Sequence, residues 1–162
     1  MRIYNASVGS VLLYGAESWP ATRSVLSTVN IAQTKHLRRI GGLRWHDFVS
    51  NDNLLALTGQ RPFSVQLIQR TLRWYGHLLR MPPDTPARTI FDFDPMLHGG
   101  KRPRGCPPTR WKDTIGAFLV MANIQEDVHI LARDRSKWRH HVASLDVGSI
   151  LAGVQFYLYY SI

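Results

Sequence analysis

The 162-residue chain carries twenty Lys and Arg against eleven Asp and Glu, for a formal charge of +9 and a pI near 10.3. Such a field selects polyanionic partners, and an apolar content of 44% excludes a disordered polyelectrolyte. The single cysteine, Cys106, excludes an internal disulfide framework and a multi-cysteine zinc site.

Near Met1 the apolar run at residues 11–14 is too short for the core of a signal peptide, so the expected location is intracellular, nuclear or cytoplasmic. Residues 3–14 are apolar and β-branched without a clean period, which leaves helix and strand both open. Pro20 ends that segment through its restriction on Trp19. Thr22 or Ser24 can cap a helix running to about Ile40, where Gly41 and Gly42 stop it. Leu26, Val29, Leu37 and Ile40 give it an apolar stripe. A short helix over residues 50–58 ends at Gly59.

The best-bounded helix spans about residues 64–81, between Pro62 and Pro82-Pro83. Ile68, Leu72, Tyr75 and Leu79 predict its buried stripe. Gln66, Arg70, Arg73, His77 and Arg80 recur at steps of four and three residues, so they form one row on another face. Seven of the nine prolines then fall within residues 82–108, together with Gly99, Gly100 and Gly105, which predicts a linker. A helix over about residues 110–122, capped by Thr109, offers Trp111, Ile115, Phe118 and Ala122 to the core. A last helix over about residues 125–144 offers Val128, Leu131, Trp138 and Val142, and the two read as an antiparallel hairpin. Residues 147–162 hold no charged side chain, yet fall short of the ~20 residues that a membrane-spanning helix needs. The elements predict a mainly α fold: a small helical array in which a helix hairpin at 110–144 is joined by a Pro/Gly-rich basic linker.

Bond-making chemistry finds little support in these residues. No His-Glu-x-x-His occurs, and the seven histidines lack metal-ligand spacing. Asp92 and Asp94 have no third acid nearby to complete a magnesium site. There is no Gly-x-Ser-x-Gly elbow, and Gly100-Lys101 is followed by Arg102 rather than Ser or Thr, so no phosphate loop is formed. No catalytic residue, metal or cofactor is therefore expected. What remains is basic surface, in four clusters: Lys35, Arg38, Arg39 and Arg44; Arg70, Arg73, His77 and Arg80; Lys101, Arg102, Arg104 and Arg110; and Arg133 with Lys137. Such groups on rigid elements contact phosphates without reading sequence. Truncating Arg70, Arg73 and Arg80 together is expected to lower the salt dependence of binding by about two to three phosphates' worth. Trp74, Trp111 and Trp138 stand at helical spacing beside Leu and Ile, which places them in the core, with the neighbouring cations directed outward.

Several motifs together resemble one family. Leu12-Leu13-Tyr14-Gly15-Ala16-Glu17-Ser18-Trp19 resembles a stretch just after the polymerase core of LINE-type (non-LTR) retrotransposon reverse transcriptases. Leu37-Arg38-Arg39-Ile40, Leu43-Arg44-Trp45-His46-Asp47 and Leu72-Arg73-Trp74-Tyr75-Gly76-His77-Leu78-Leu79-Arg80-Met81-Pro82 are similar to segments further downstream in that family. So are Gly100-Lys101-Arg102-Pro103-Arg104-Gly105 and Asp134-Arg135-Ser136-Lys137-Trp138-Arg139. The resemblance covers residues 3–143. It implies a thumb-like helical region at 1–82, a basic linker at 83–108, a helical hairpin at 109–144 and an unmatched apolar tail at 145–162. It also implies a grip on template and primer, RNA or DNA or both, in a fragment that lacks the palm with its paired aspartates and lacks the endonuclease. Cys106 stands where the family often has Arg, and His36 where Cys is frequent. Two other classes stay open on the residues alone. One is a protein-interaction or structural helical domain; the other is a membrane-associated peptide held by residues 147–162.

Overall fold

The computed structural model describes residues 1–94, 99–101, 104–105, 109–124 and 126–145. Among these residues the chain is mainly helical and no strand occurs. The ambiguous N-terminal segment is helical: α1 (Arg2–Tyr4), a π-helical stretch (Asn5–Gly9) and α2 (Ser10–Leu12). A 3-10 turn, Ala16–Ser18, follows Gly15, which supplies the left-handed backbone (φ 64°) that turns the chain. Next come α3 (Arg23–Ile40) and a second 3-10 turn, Trp45–Asp47. The remaining helices are α4 (Asn51–Thr58), α5 (Phe63–Arg80), α6 (Pro86–Asp92), α7 (Trp111–Met121), α8 (Val128–Arg133) and α9 (Arg135–Ser144).

α5 is the axis of the molecule. The first 3-10 turn and α3, α6, α7, α8 and α9 all pack on it. Phe63, Val65, Leu67, Ile68 and Leu72 are buried around most of its circumference, as expected for a helix enclosed by others rather than lying on a surface. The stripe expected there is partly displaced: Ile68 and Leu72 are buried, whereas Tyr75 and Leu79 are half-buried.

The start of α5 is completed by another helix. Pro62, at its N-cap, has no side-chain acceptor, so the first amides need partners from elsewhere. α3 provides them. The Phe63 amide donates to Gln33 Oε1 at 2.8 Å, and the Ser64 amide donates to Asn30 Oδ1 at 2.9 Å. In return Gln33 Nε2 donates to the Arg61 carbonyl at 2.9 Å, and Asn30 Nδ2 donates to Ser64 Oγ at 2.9 Å. The fully buried Gln33 thereby has both ends of its amide satisfied, the condition under which a core polar group is tolerated.

The end of α5 is completed by α6, which lies inside the stretch expected to be a linker. Pro86 sits in the first turn of α6, where its missing N–H and fixed φ suit a helix start, so proline here marks a helix and not its absence. Arg88 Nη1 donates to the Leu79 carbonyl at 3.1 Å and to the Leu78 carbonyl at 3.4 Å, a cation on the negative end of α5. Arg88 Nε is paired with Asp92 at 2.6 Å. Four rings then tie the helices together: Trp111 on Phe91, Phe91 on Tyr75 and Tyr75 on Trp138, with centroids 5.7–6.1 Å apart. Aromatic pairs at this spacing favour edge-on and tilted geometries like those seen here.

The stretch expected to be a hairpin holds three helices, each packed on α5. The segment expected to be one helix over 125–144 breaks at Asp134, whose carboxylate accepts from the Ser136 amide at 2.8 Å and the Lys137 amide at 3.0 Å. A side chain that caps a new helix competes with continuation of the old one, and here the cap prevails. The same two amides, Lys137 first, hold the Asp134 carboxyl below the usual carboxylate range, and the Lys137 charge adds to the effect. α7 likewise starts at Trp111 rather than Arg110, because Asp113 Oδ2 accepts from the Arg110 amide and Thr109 has no capping role.

Candidate nucleic-acid interface

The central row on α5 resolves into side chains with different surroundings. Arg70, Arg73, Trp74 and His77 line an open groove together with Glu17 from the first 3-10 turn. Arg73 and His77 are exposed, and Arg70 and Trp74 are half-buried. Arg70 Nη1 donates to the Leu13 carbonyl at 2.7 Å, which anchors the guanidinium at the groove's edge and leaves further N–H donors on the same group. The Trp74 ring lies 5.5 Å from the His77 ring, tilted by 50°. Glu17 is the acid of the groove, and its backbone carbonyl accepts from Trp111 Nε1 at 2.7 Å, which pins the 3-10 turn to α7. Two arginines, a histidine, a tryptophan and one acidic residue thus line the same groove.

Arg80 ends the row but does not line the groove. Its Nη1 donates to the Ala132 carbonyl at 2.9 Å, binding the end of α5 to α8. Burial pushes the Arg80 guanidinium below its ordinary pKa, and the charge of Arg135 acts in the same direction. Its Nε is buried without a partner.

The second cluster sits at the end of α3. Lys35, Arg39 and Arg44 are exposed. Arg38 is half-buried and holds the following loop: its Nη2 donates to the Val49 carbonyl at 2.7 Å and to Asn51 Oδ1 at 2.9 Å. Among the other expected contacts, Arg133 and Lys137 are exposed on α8 and α9, and Lys101 and Arg104 are exposed in the stretch before α7. Arg110 is half-buried and its Nη1 lies 3.9 Å from Asp94 Oδ1. Arg102, Cys106 and residues 146–162 lie outside the described residues.

Among the described residues, the guanidinium–carboxylate pairs within 4.0 Å are Arg88 with Asp92 and Arg110 with Asp94. Lys35, Arg39, Arg44, Arg73, Arg133 and Lys137 have no such partner among those residues, so most of the excess positive charge faces solvent. No group of three or more His, Cys, Asp or Glu converges there as a metal site, and no helix there is long and apolar enough to cross a membrane.

Sequence reasoning placed Trp138 in the core, and it is buried there. Trp74 and Trp111, expected beside it, are half-buried, because each lies at the margin of α5 or α7 where a groove or an aromatic neighbour covers one side. Trp45 is 85% exposed. Its place outside any helical spacing, between Gly41-Gly42 and the α4 cap, was the available signal. Comparison with family models, curated proteins and solved structures finds no match to this chain.

Proposed function

We propose that this chain binds nucleic acid through its phosphates, without sequence preference and without catalysis of its own. On this reading it corresponds to the thumb and downstream region of a LINE-type reverse transcriptase. The observation that carries the binding proposal is the α5 groove, where Arg70, Arg73 and His77 are presented on the most firmly packed helix of the fold. Guanidinium groups held on such an element reach phosphate oxygens with little ordering cost. The cations of α3, α8 and α9 extend the same field and supply a sequence-independent attraction.

The geometry separates two kinds of arginine, and a titration distinguishes them. Arg73→Gln and Arg39→Gln each reduce the slope of log K against log salt by about 0.7–0.9, the contribution of one phosphate contact. Arg80→Gln lowers the melting temperature, because α5 loses its bond to Ala132, and leaves that slope unchanged. Filter binding of each variant to a random-sequence oligonucleotide at several salt concentrations checks both statements. Slopes that are identical in all three variants and in the wild type contradict the assignment.

A further inference from the structure

We infer that the loop between α3 and α4 is a stacking platform for unpaired bases, so that the strand bound is single-stranded. This rests on the nucleic-acid reading above and adds the form of the ligand. Trp45 and Phe48 are 85% and 86% exposed, a large apolar area for two aromatic side chains in one loop. The loop holding them is braced at several points. Arg38 ties it to the Val49 carbonyl and to Asn51, the Leu43 amide donates to the Arg38 carbonyl at 3.0 Å, and the Arg44 amide donates to Asp47 Oδ2. Phe48 takes a left-handed backbone (φ 50°), a costly conformation for a bulky residue, and it directs the ring out of the fold. The His46 ring packs edge-on against Trp45 at 5.7 Å, which restricts the indole while one face stays open.

The chemistry around the rings selects the occupant. Lys35, Arg39 and Arg44 are exposed and lack carboxylate partners among the described residues. The acid within the turn, Asp47, is engaged by the Arg44 amide and lies 3.8 Å from His46 Nε2. Exposed rings on a loop that carries Arg44 and follows the helix bearing Lys35 and Arg39 match a ligand that offers flat apolar faces on an anionic backbone. An unpaired strand has both features, whereas a duplex hides its base faces. An apolar protein surface would leave these cations desolvated and unpaired.

The test measures the full chain against fluorescent 12-nucleotide strands of uridylate and of thymidylate, and against a hairpin duplex. Trp45→Ala weakens binding of at least one single strand about tenfold, within the range set by loss of one stacked base, and changes duplex binding less than twofold. Trp45→Phe restores most of the affinity. Phe48→Asn, which keeps a residue tolerant of positive φ, weakens the same strand while leaving the melting temperature intact. A preference for uridylate identifies RNA and a preference for thymidylate identifies DNA, and either supports the platform. Equal losses on duplex and single strand, or no loss in either variant, overturn it while leaving the phosphate reading in place. A wild-type chain that binds none of the three oligonucleotides in low salt overturns both.

Discussion

Gly76→Ala is expected to destabilise the protein by about 3 kcal/mol, although alanine is the better helix former by ~1 kcal/mol. A Cβ at position 76 would stand 2.3 Å from Trp138 Nε1 and 2.6 Å from its Cε2, well inside contact distance. The indole cannot move aside cheaply. It is 2% exposed, its Nε1 donates to the Leu72 carbonyl at 3.0 Å, and it packs against Tyr75. The added methyl must displace the ring, break that hydrogen bond and strain a close-packed core, and these costs outweigh the gain in propensity. Thermal unfolding should register a drop on the order of 10 °C. A double-mutant cycle isolates the cause: in a Trp138→Leu background, Gly76→Ala should be neutral or stabilising. An equal cost in both backgrounds would show that the glycine is needed for some other reason.

Gln33→Leu ranks next, at about 2 kcal/mol, despite near-equal volume and greater hydrophobicity. The substitution removes the acceptor of the Phe63 amide and the donor to the Arg61 carbonyl, both at the start of α5. Leaving the buried Phe63 amide unpaired costs ~1–3 kcal/mol, more than the apolar gain returns, while the Arg61 carbonyl keeps Gln66 Nε2 at 3.2 Å. Amide hydrogen exchange gives the specific readout. Protection should fall most at Phe63, whose amide loses its acceptor, and a uniform loss across the chain would contradict a capping role for Gln33.

How much of this was legible in the sequence depends on how local each interaction is. The ends of α3 and α4 could be read from Thr22, Ser50 and the glycines at 41, 42 and 59, because a cap needs only neighbouring residues. The burial of Leu26, Val29, Leu37, Ile68 and Leu72 came from spacing, while Ile40, placed in the same stripe, is exposed at the end of α3. The roles of Gln33 and Asn30 could not be seen, since their partners lie 28 to 34 residues away. α6 was hidden by proline content that in this instance begins a helix. The split at Asp134 was missed because the charge order from Glu126 to Arg139 suits one long helix dipole as well as two short ones. The basic row on α5 was legible as a row. That Arg80 faces the Ala132 carbonyl rather than the groove depends on α8, which no periodicity in α5 reports.

The central claim is that cations on a packed helical frame attract a polyanion, and the salt dependence of the unmodified chain tests it most directly. About four phosphate contacts on a single strand give a slope of log K against log salt near −3. The wild-type chain should therefore lose affinity by roughly fiftyfold between 50 and 200 mM salt. Binding that is flat across that range, or absent in dilute buffer, would contradict the account.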